Sequence, residues 1–167
     1  MQHASPSPQI DPRYVSTVRQ PMGDDAPNDR LTQESRVDRQ FMEMLDGYRH
    51  SGGLARAQEV FTSFKSREGA EPGILARWIV KRSVISFDWQ SKVWIPLFQF
   101  SLINMELLPG VVEVLTVLNP VFEPWELAYW FAQPSRWLDS GRRPADVIGI
   151  DKHAVLRAAC ADRFIAD

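Results

Sequence analysis

Apolar residues recur every three or four positions along several stretches of the chain, which is the spacing of one helix face. In the first such stretch Val37, Phe41, Leu45 and Tyr48 alternate with charged residues, and Gly52-Gly53 supplies a helix end. The same reasoning predicts helices over 31–50, 54–66, 72–82, 111–118, 124–132 and about 151–165. For the first of these faces, core packing is favoured over binding to a partner helix.

Two short stretches alternate with a period of two, as strands do. They cover 84–87 and 93–100, and the polar residues 88–92 form a turn between them. The order of helix, turn, helix and hairpin is typical of a winged helix-turn-helix. The predicted fold is therefore mainly α, a helical bundle with a helix-turn-helix-like segment and one short β-hairpin.

The stretch from Glu123 to Ile148 carries the strongest local signals. Glu123-Pro124 predicts a helix start, because proline at the first helical position loses no hydrogen bond. Pro134 predicts the end of that helix, since the residue before a proline is pushed out of the helical region. The sequence from Gly141 to Pro144 then predicts a basic corner.

The sequence predicts three regions. Residues 1–30 contain five prolines among Ser, Gln and Asp and predict a disordered leader. Residues 31–100 form the predicted helix-turn-helix-like segment with its hairpin, and residues 101–167 form a helical domain.

Composition restricts the functional classes. The 167 residues carry a formal charge of −2, which excludes a wholly basic nucleic-acid coat but leaves room for a local basic face. One cysteine excludes a disulfide framework, and the apolar runs are too short to span a bilayer. We expect a cytoplasmic protein that is not bound to a membrane.

No catalytic pattern is found. His3, His50 and His153 are too scattered for a metal set, and Cys160 is interpreted as a buried structural thiol. The six tryptophans are interpreted as core, with Trp137 the least certain. We expect no metal, no cofactor and no enzymatic activity.

A DNA-binding face is one interpretation of the third predicted helix. Residues 54–100 hold seven basic and four acidic side chains, and Arg77, Lys81 and Arg82 are the DNA-binding candidates. An ordinary solvated helix face explains the same residues equally well.

A family resemblance begins at the second predicted strand and covers about half of the chain. It rests on these residues: Pro96, Phe98-Gln99-Phe100, Trp125, Leu127 to Phe131, Pro134, Trp137-Leu138, Gly141, Pro144 and Asp146-Val147-Ile148. In this order and spacing the sequence resembles the toxin-binding domain of Xre/MbcA/ParS-type antitoxins. It departs from the family at Ser135, where an asparagine is usual.

The resemblance implies an antitoxin that covers the active-site entrance of a RES-domain toxin acting on NAD. The implied toxin-binding residues are Trp137, Leu138, Arg142, Arg143, Pro144, Arg157, Arg163 and Phe164. A solvated turn is an equal explanation for Arg142 and Arg143. A homodimer or a toxin–antitoxin hetero-oligomer is expected.

Two other functions are kept open. The chain could be a stand-alone regulator that binds promoter DNA without a toxin. It could also be a structural adaptor that binds other proteins through its tryptophan-rich surface.

Overall fold

A computed structural model describes residues 27–67, 71, 73–101 and 103–166. Within these residues the fold is mainly helical with one small antiparallel sheet, so the predicted class is confirmed at that level. The helices are α1 (Pro27–Gly47), α2 (Ala57–Lys65), α3 (Ile74–Val80), α4 (Pro109–Leu118), α5 (Pro124–Ala132), α6 (Pro144–Val147) and α7 (Lys152–Ala166). The strands are β1 (Leu54–Arg56), β2 (Phe87–Trp89) and β3 (Lys92–Pro96).

Helix α1 begins and ends earlier than predicted. It includes residues 27–30, which the sequence analysis assigned to the leader, while the rest of that leader lies outside the described residues. Its last residue is Gly47, and a further turn leads to Gly52 and Gly53, both with left-handed φ angles of 105° and 81°. The glycine pair was predicted to end the helix, but the helix already ends at Gly47, and the pair adopts its left-handed conformation in the turn that follows.

The first residues of the second predicted helix form strand β1 instead. Ala55 pairs with Ile95 of β3 in an antiparallel ladder. The prediction was wrong here because a partner about forty residues away overrides the local helical spacing. Helix α2 starts only at Ala57, where the Glu59 carboxylate accepts the backbone N–H of Arg56 at 2.8 Å.

The predicted hairpin exists but its strands are shifted. Its turn consists of Gln90 and Ser91, which have φ angles of 47° and 59°, as a two-residue hairpin turn requires. The ladder runs over β2 and β3, and β1 adds a third strand in the order β1-β3-β2. The predicted strand 84–87 contributes only Phe87, and β3 gives way to a 3-10 turn over Leu97–Gln99.

The C-terminal helices follow their local signals closely. Helix α5 covers 124–132 as predicted, and the Glu126 carboxylate accepts the backbone N–H of Glu123 at 2.8 Å. Asp151 is the predicted N-cap of α7, and its Oδ1 accepts the N–H of Ala154 at 2.9 Å. Helix α4 begins at Pro109, two residues before its prediction.

Two clusters of buried side chains hold the molecule together. The larger one joins Phe41, Met44 and Tyr48 of the α1 region with residues of α4, α5, α6 and α7, and α4 packs against α7. The smaller one lies among α2, α3 and β3. The larger cluster thus takes side chains from both sides of residue 100, where the sequence predicts a domain boundary. That boundary stays a prediction.

The helix-turn-helix and the bundle also stay predictions. Helices α2 and α3 occupy the predicted segment, but their connection includes residues outside the described part. None of the helices in the described part combines the length and hydropathy needed to cross a bilayer.

Candidate functional site

Helix α5 presents polar aromatic edges to α1. The indole Nε1 of Trp125 donates to Oε1 of Gln40 at 3.0 Å, and the hydroxyl of Tyr129 donates to the Glu43 carboxylate. This hydrogen bond to Glu43 raises the pKa of Tyr129, with smaller contributions from partial burial and from the negative charge of Glu43. The two contacts fix α5 against α1 at the surface, above the shared core.

A single carboxylate on α7 binds two tryptophans. Asp162 accepts the indole N–H of Trp130 on its Oδ2 at 2.8 Å and that of Trp137 on its Oδ1 at 2.6 Å. Trp137 is 45% exposed, so an aromatic side chain at the surface is held in one orientation by a charge-assisted hydrogen bond. The expectation that Trp137 is the least core-like tryptophan agrees with this exposure.

Beside Trp137 lies an open groove of about 560 Å³ between α5, the turn after it and α7. Trp125, Tyr129, Trp130 and Trp137 line it. The guanidinium carbon of Arg136 lies 4.7 Å from the centre of the Trp137 ring, which is within the range of a cation–π contact. The groove is thus an aromatic surface with a basic side chain at its edge.

Two of the predicted toxin-binding residues are not at the surface. Leu138 is buried in the larger cluster, and Pro144 is buried as the first residue of α6. A side chain packed in the core cannot also contact a partner in this conformation. Both residues therefore stabilise the adjacent turn from inside the molecule. They are corrected from contact residues to packing residues.

The two arginines of the basic corner differ. Arg142 is exposed, whereas Arg143 is half-buried and its Nε donates to the carbonyl oxygen of Ala132 at 3.1 Å. A terminal nitrogen of Arg143 also lies 3.7 Å from Oδ2 of Asp46. Arg143 therefore joins the end of α5 to α1, and Arg142 is the one that faces solvent.

The end of α7 carries the remaining predicted residues. Arg157, Arg163 and Phe164 are all exposed, and Phe164 is 85% exposed. Ile165 beside it is also exposed, although the sequence analysis did not name it as a contact. Two adjacent apolar residues at the end of an otherwise polar stretch were the signal that could have identified it.

The predicted DNA-binding residues are not equally available. The guanidinium of Arg77 pairs with the carboxylate of Glu71, and Arg82 donates to the carbonyl oxygen of Phe122 at 2.8 Å. Lys81 is exposed, but α3 ends at Val80, so Lys81 and Arg82 lie beyond the helix rather than on its face. The third helix was predicted too long.

Cys160 is exposed, so its interpretation as a buried thiol was wrong. The side of α7 that packs in the core is formed by Val155, Ala158 and Ala159, which turns position 160 outward. Among the described residues, no group of three or more His, Cys, Asp or Glu side chains is arranged to hold a metal ion.

Comparisons with models of protein families, with curated proteins and with solved structures found no match to this chain. The resemblance to the antitoxin family stays a prediction from the sequence.

Proposed function

We propose that this chain is an antitoxin that binds a RES-domain toxin through its C-terminal helices and neutralises it by covering the NAD-binding active site. The family resemblance supplies the class of partner. The observation that carries the proposal is the exposed Trp137, held by Asp162 on the same helix whose end exposes Phe164 and Ile165.

These features match what a protein-binding surface needs. Aromatic side chains and arginines contribute most of the energy in typical interfaces, and Arg142 and Arg157 are exposed on the same C-terminal segment. An aromatic side chain fixed before binding loses less conformational entropy on association. An indole held by a carboxylate is therefore a better anchor than one free to rotate.

The test is whether this chain neutralises the product of the adjacent gene, which the proposal expects to be a RES-domain toxin. We expect the two proteins to co-purify and the complex to consume NAD far more slowly than the free toxin. Trp137→Ala and Phe164→Ala should each weaken binding by roughly tenfold or more, the effect expected for a central aromatic anchor. Val80→Ala, on a side chain at the end of α3 that is as exposed as Phe164, is the control and should leave the affinity unchanged.

A toxin that stays unbound and active in the presence of the full chain would overturn the proposal. If the toxin binds but neither aromatic substitution changes its affinity, the contact lies elsewhere on the molecule.

Binding to promoter DNA has less support. Arg77 is exposed but pairs with Glu71, and Arg82 donates to the carbonyl oxygen of Phe122. Lys81 is the exposed base of the predicted set whose side chain has no partner among the described residues. A gel shift on the upstream region at low salt, weakened by Lys81→Ala, would restore this function as an addition to the first.

A further inference from the structure

The groove beside Trp137 has the size of a ligand site. Its volume of about 560 Å³ falls within the roughly 300–1,000 Å³ that such sites usually enclose. It is open to solvent, and its lining comes mainly from α5 and the turn after it, with Gln40 of α1 and Asp162 of α7. A side chain from another protein can therefore enter it without any rearrangement of the helices.

The aromatic walls offer ring surfaces and not polar edges. The N–H groups of Trp125, Trp130 and Trp137 are all donated to acceptors within the chain, as is the hydroxyl of Tyr129. What remains for a ligand is the π surface, whose negative quadrupole attracts cations.

The charges of the lining residues favour the same kind of ligand. Glu126 and Asp162 are acidic and Arg136 is the one base among the residues that line the groove, so the groove carries a net charge of −1. Oε2 of Glu126 accepts the backbone N–H of Glu123, and among the described residues this carboxylate has no other hydrogen bond. Its second oxygen is therefore available to a bound cation.

The chain itself shows which cation fits. Arg136, an exposed residue, places its guanidinium 4.7 Å from the centre of the Trp137 ring. A guanidinium is planar and weakly hydrated, and it stacks on indoles more readily than an ammonium group does. Arg136 thus occupies part of the surface that an incoming arginine would use.

We propose that this aromatic groove binds an arginine side chain in an extended segment of a partner protein, with Arg136 as an internal competitor for the Trp137 ring. The inference deepens the proposed function, because it states the chemistry that the partner presents at this surface. Its failure is distinguishable from failure of the proposed function, since the first experiment uses the full chain without any toxin.

The probe is the peptide acetyl-Ala-Arg-Ala-amide, compared with the same peptide containing citrulline, which has nearly the same shape but no charge. Binding to the full chain is followed by tryptophan fluorescence and by chemical shifts of the indole N–H groups. We expect the arginine peptide to bind roughly tenfold tighter than the citrulline peptide, as a cation–π contact supported by a carboxylate would give. Argininamide alone should bind more weakly than the peptide, because the partner is a segment and not a small molecule.

Two substitutions give opposite expectations. Arg136→Ala should tighten binding of the arginine peptide by roughly three- to tenfold, because it frees the ring and removes a positive charge. Glu126→Gln should weaken binding by a similar factor while still accepting the N–H of Glu123. Arg36→Ala, an exposed arginine of α1 outside the residues that line the groove, is the matched control and should change nothing.

Equal binding of the two peptides, no binding of either, or weaker binding after Arg136→Ala would each overturn the inference. A toxin that is neutralised equally well by wild type, Glu126→Gln and Arg136→Ala would overturn it too, while leaving the proposed function intact.

Discussion

The hydroxyl of Tyr48 donates a hydrogen bond to the backbone carbonyl of Ala128, 80 positions further along the chain. Tyr48 is completely buried, and its ring stacks on Phe98 with the centroids 5.6 Å apart. The contact joins the turn after α1 to the middle of α5. Burial raises the pKa of Tyr48 well above its usual value of 10.0, because the phenolate would lose its hydration.

Tyr48→Phe should lower the free energy of unfolding at neutral pH by about 1–2 kcal/mol, the usual size of a buried hydrogen bond. Since the folded state holds this proton more tightly, the stabilisation is complete below pH 10.0 and is lost as pH rises toward the raised pKa. Urea unfolding of both proteins between pH 8 and about pH 11 measures the difference. The difference in unfolding free energy between wild type and variant should become smaller above pH 10. A difference that stays constant with pH would contradict the explanation by a buried phenol.

Gln99 is a buried polar residue that completes the backbone hydrogen bonds of a neighbouring loop. Its Oε1 accepts the N–H of Ile85, while its Nε2 donates to the carbonyl oxygens of Ile85 at 3.0 Å and Pro96 at 2.9 Å. Gln99→Leu should therefore cost about 2–5 kcal/mol of unfolding free energy, because each buried group left without a partner costs about 1–3 kcal/mol.

Gln58→Leu, the same substitution at an exposed position of α2, is the control for Gln99 and should change stability by about 0.5 kcal/mol or less. Equal urea midpoints for the two variants would show that the Gln99 amide adds nothing to stability.

Gly47 allows the end of α1 to approach the end of α5. A Cβ atom at this position would overlap the carbonyl oxygen of Ala132, whereas a Cβ at Gly149 would meet nothing within 4 Å. Gly47→Ala should thus lower stability by about 1–3 kcal/mol, and Gly149→Ala should be neutral or slightly stabilising. Thermal unfolding of the pair tests this, and an unchanged Tm for Gly47→Ala would mean that the two helices separate at no cost.

Asp162→Asn should release one of the two indoles, because an amide offers one acceptor oxygen where the carboxylate offers two. We expect a loss of about 1–3 kcal/mol and a weaker near-UV circular dichroism signal from the tryptophans. Asp88→Asn in β2, an exposed aspartate with no side-chain hydrogen bond among the described residues, is the control. An unaltered near-UV spectrum in Asp162→Asn would contradict the bridging role of this carboxylate.

Elements with signals close in sequence were predicted well. Helix α5 is bounded by Pro124 at its start and by Pro134 after its end, and the cap of α7 is supplied by Asp151. Strand β1 was missed because Leu54 to Arg56 become extended only by pairing with β3. Pairing over such a distance leaves no trace in local periodicity.

The candidate site shows the same division. The exposure of Trp137 could be anticipated from its position in a turn, but no local pattern connects it to Asp162, 25 positions away. The family resemblance named Leu138 and Pro144 together with Arg142, because a motif records every position that a fold needs. Only the packing separates those that form a surface from those that lie beneath it.

The placement of Asp162 just before the exposed Phe164 and Ile165 decides how the chain can be shortened. Deleting residues from Arg157 onward removes the carboxylate together with the buried Ala158 and Ala159, so lost neutralisation would report a damaged scaffold. Stopping the chain after Arg163 removes Phe164 and Ile165 and keeps both indoles tethered. A stop codon at position 164 is therefore the truncation that tests Phe164 and Ile165 without disturbing the hydrogen bonds of Asp162.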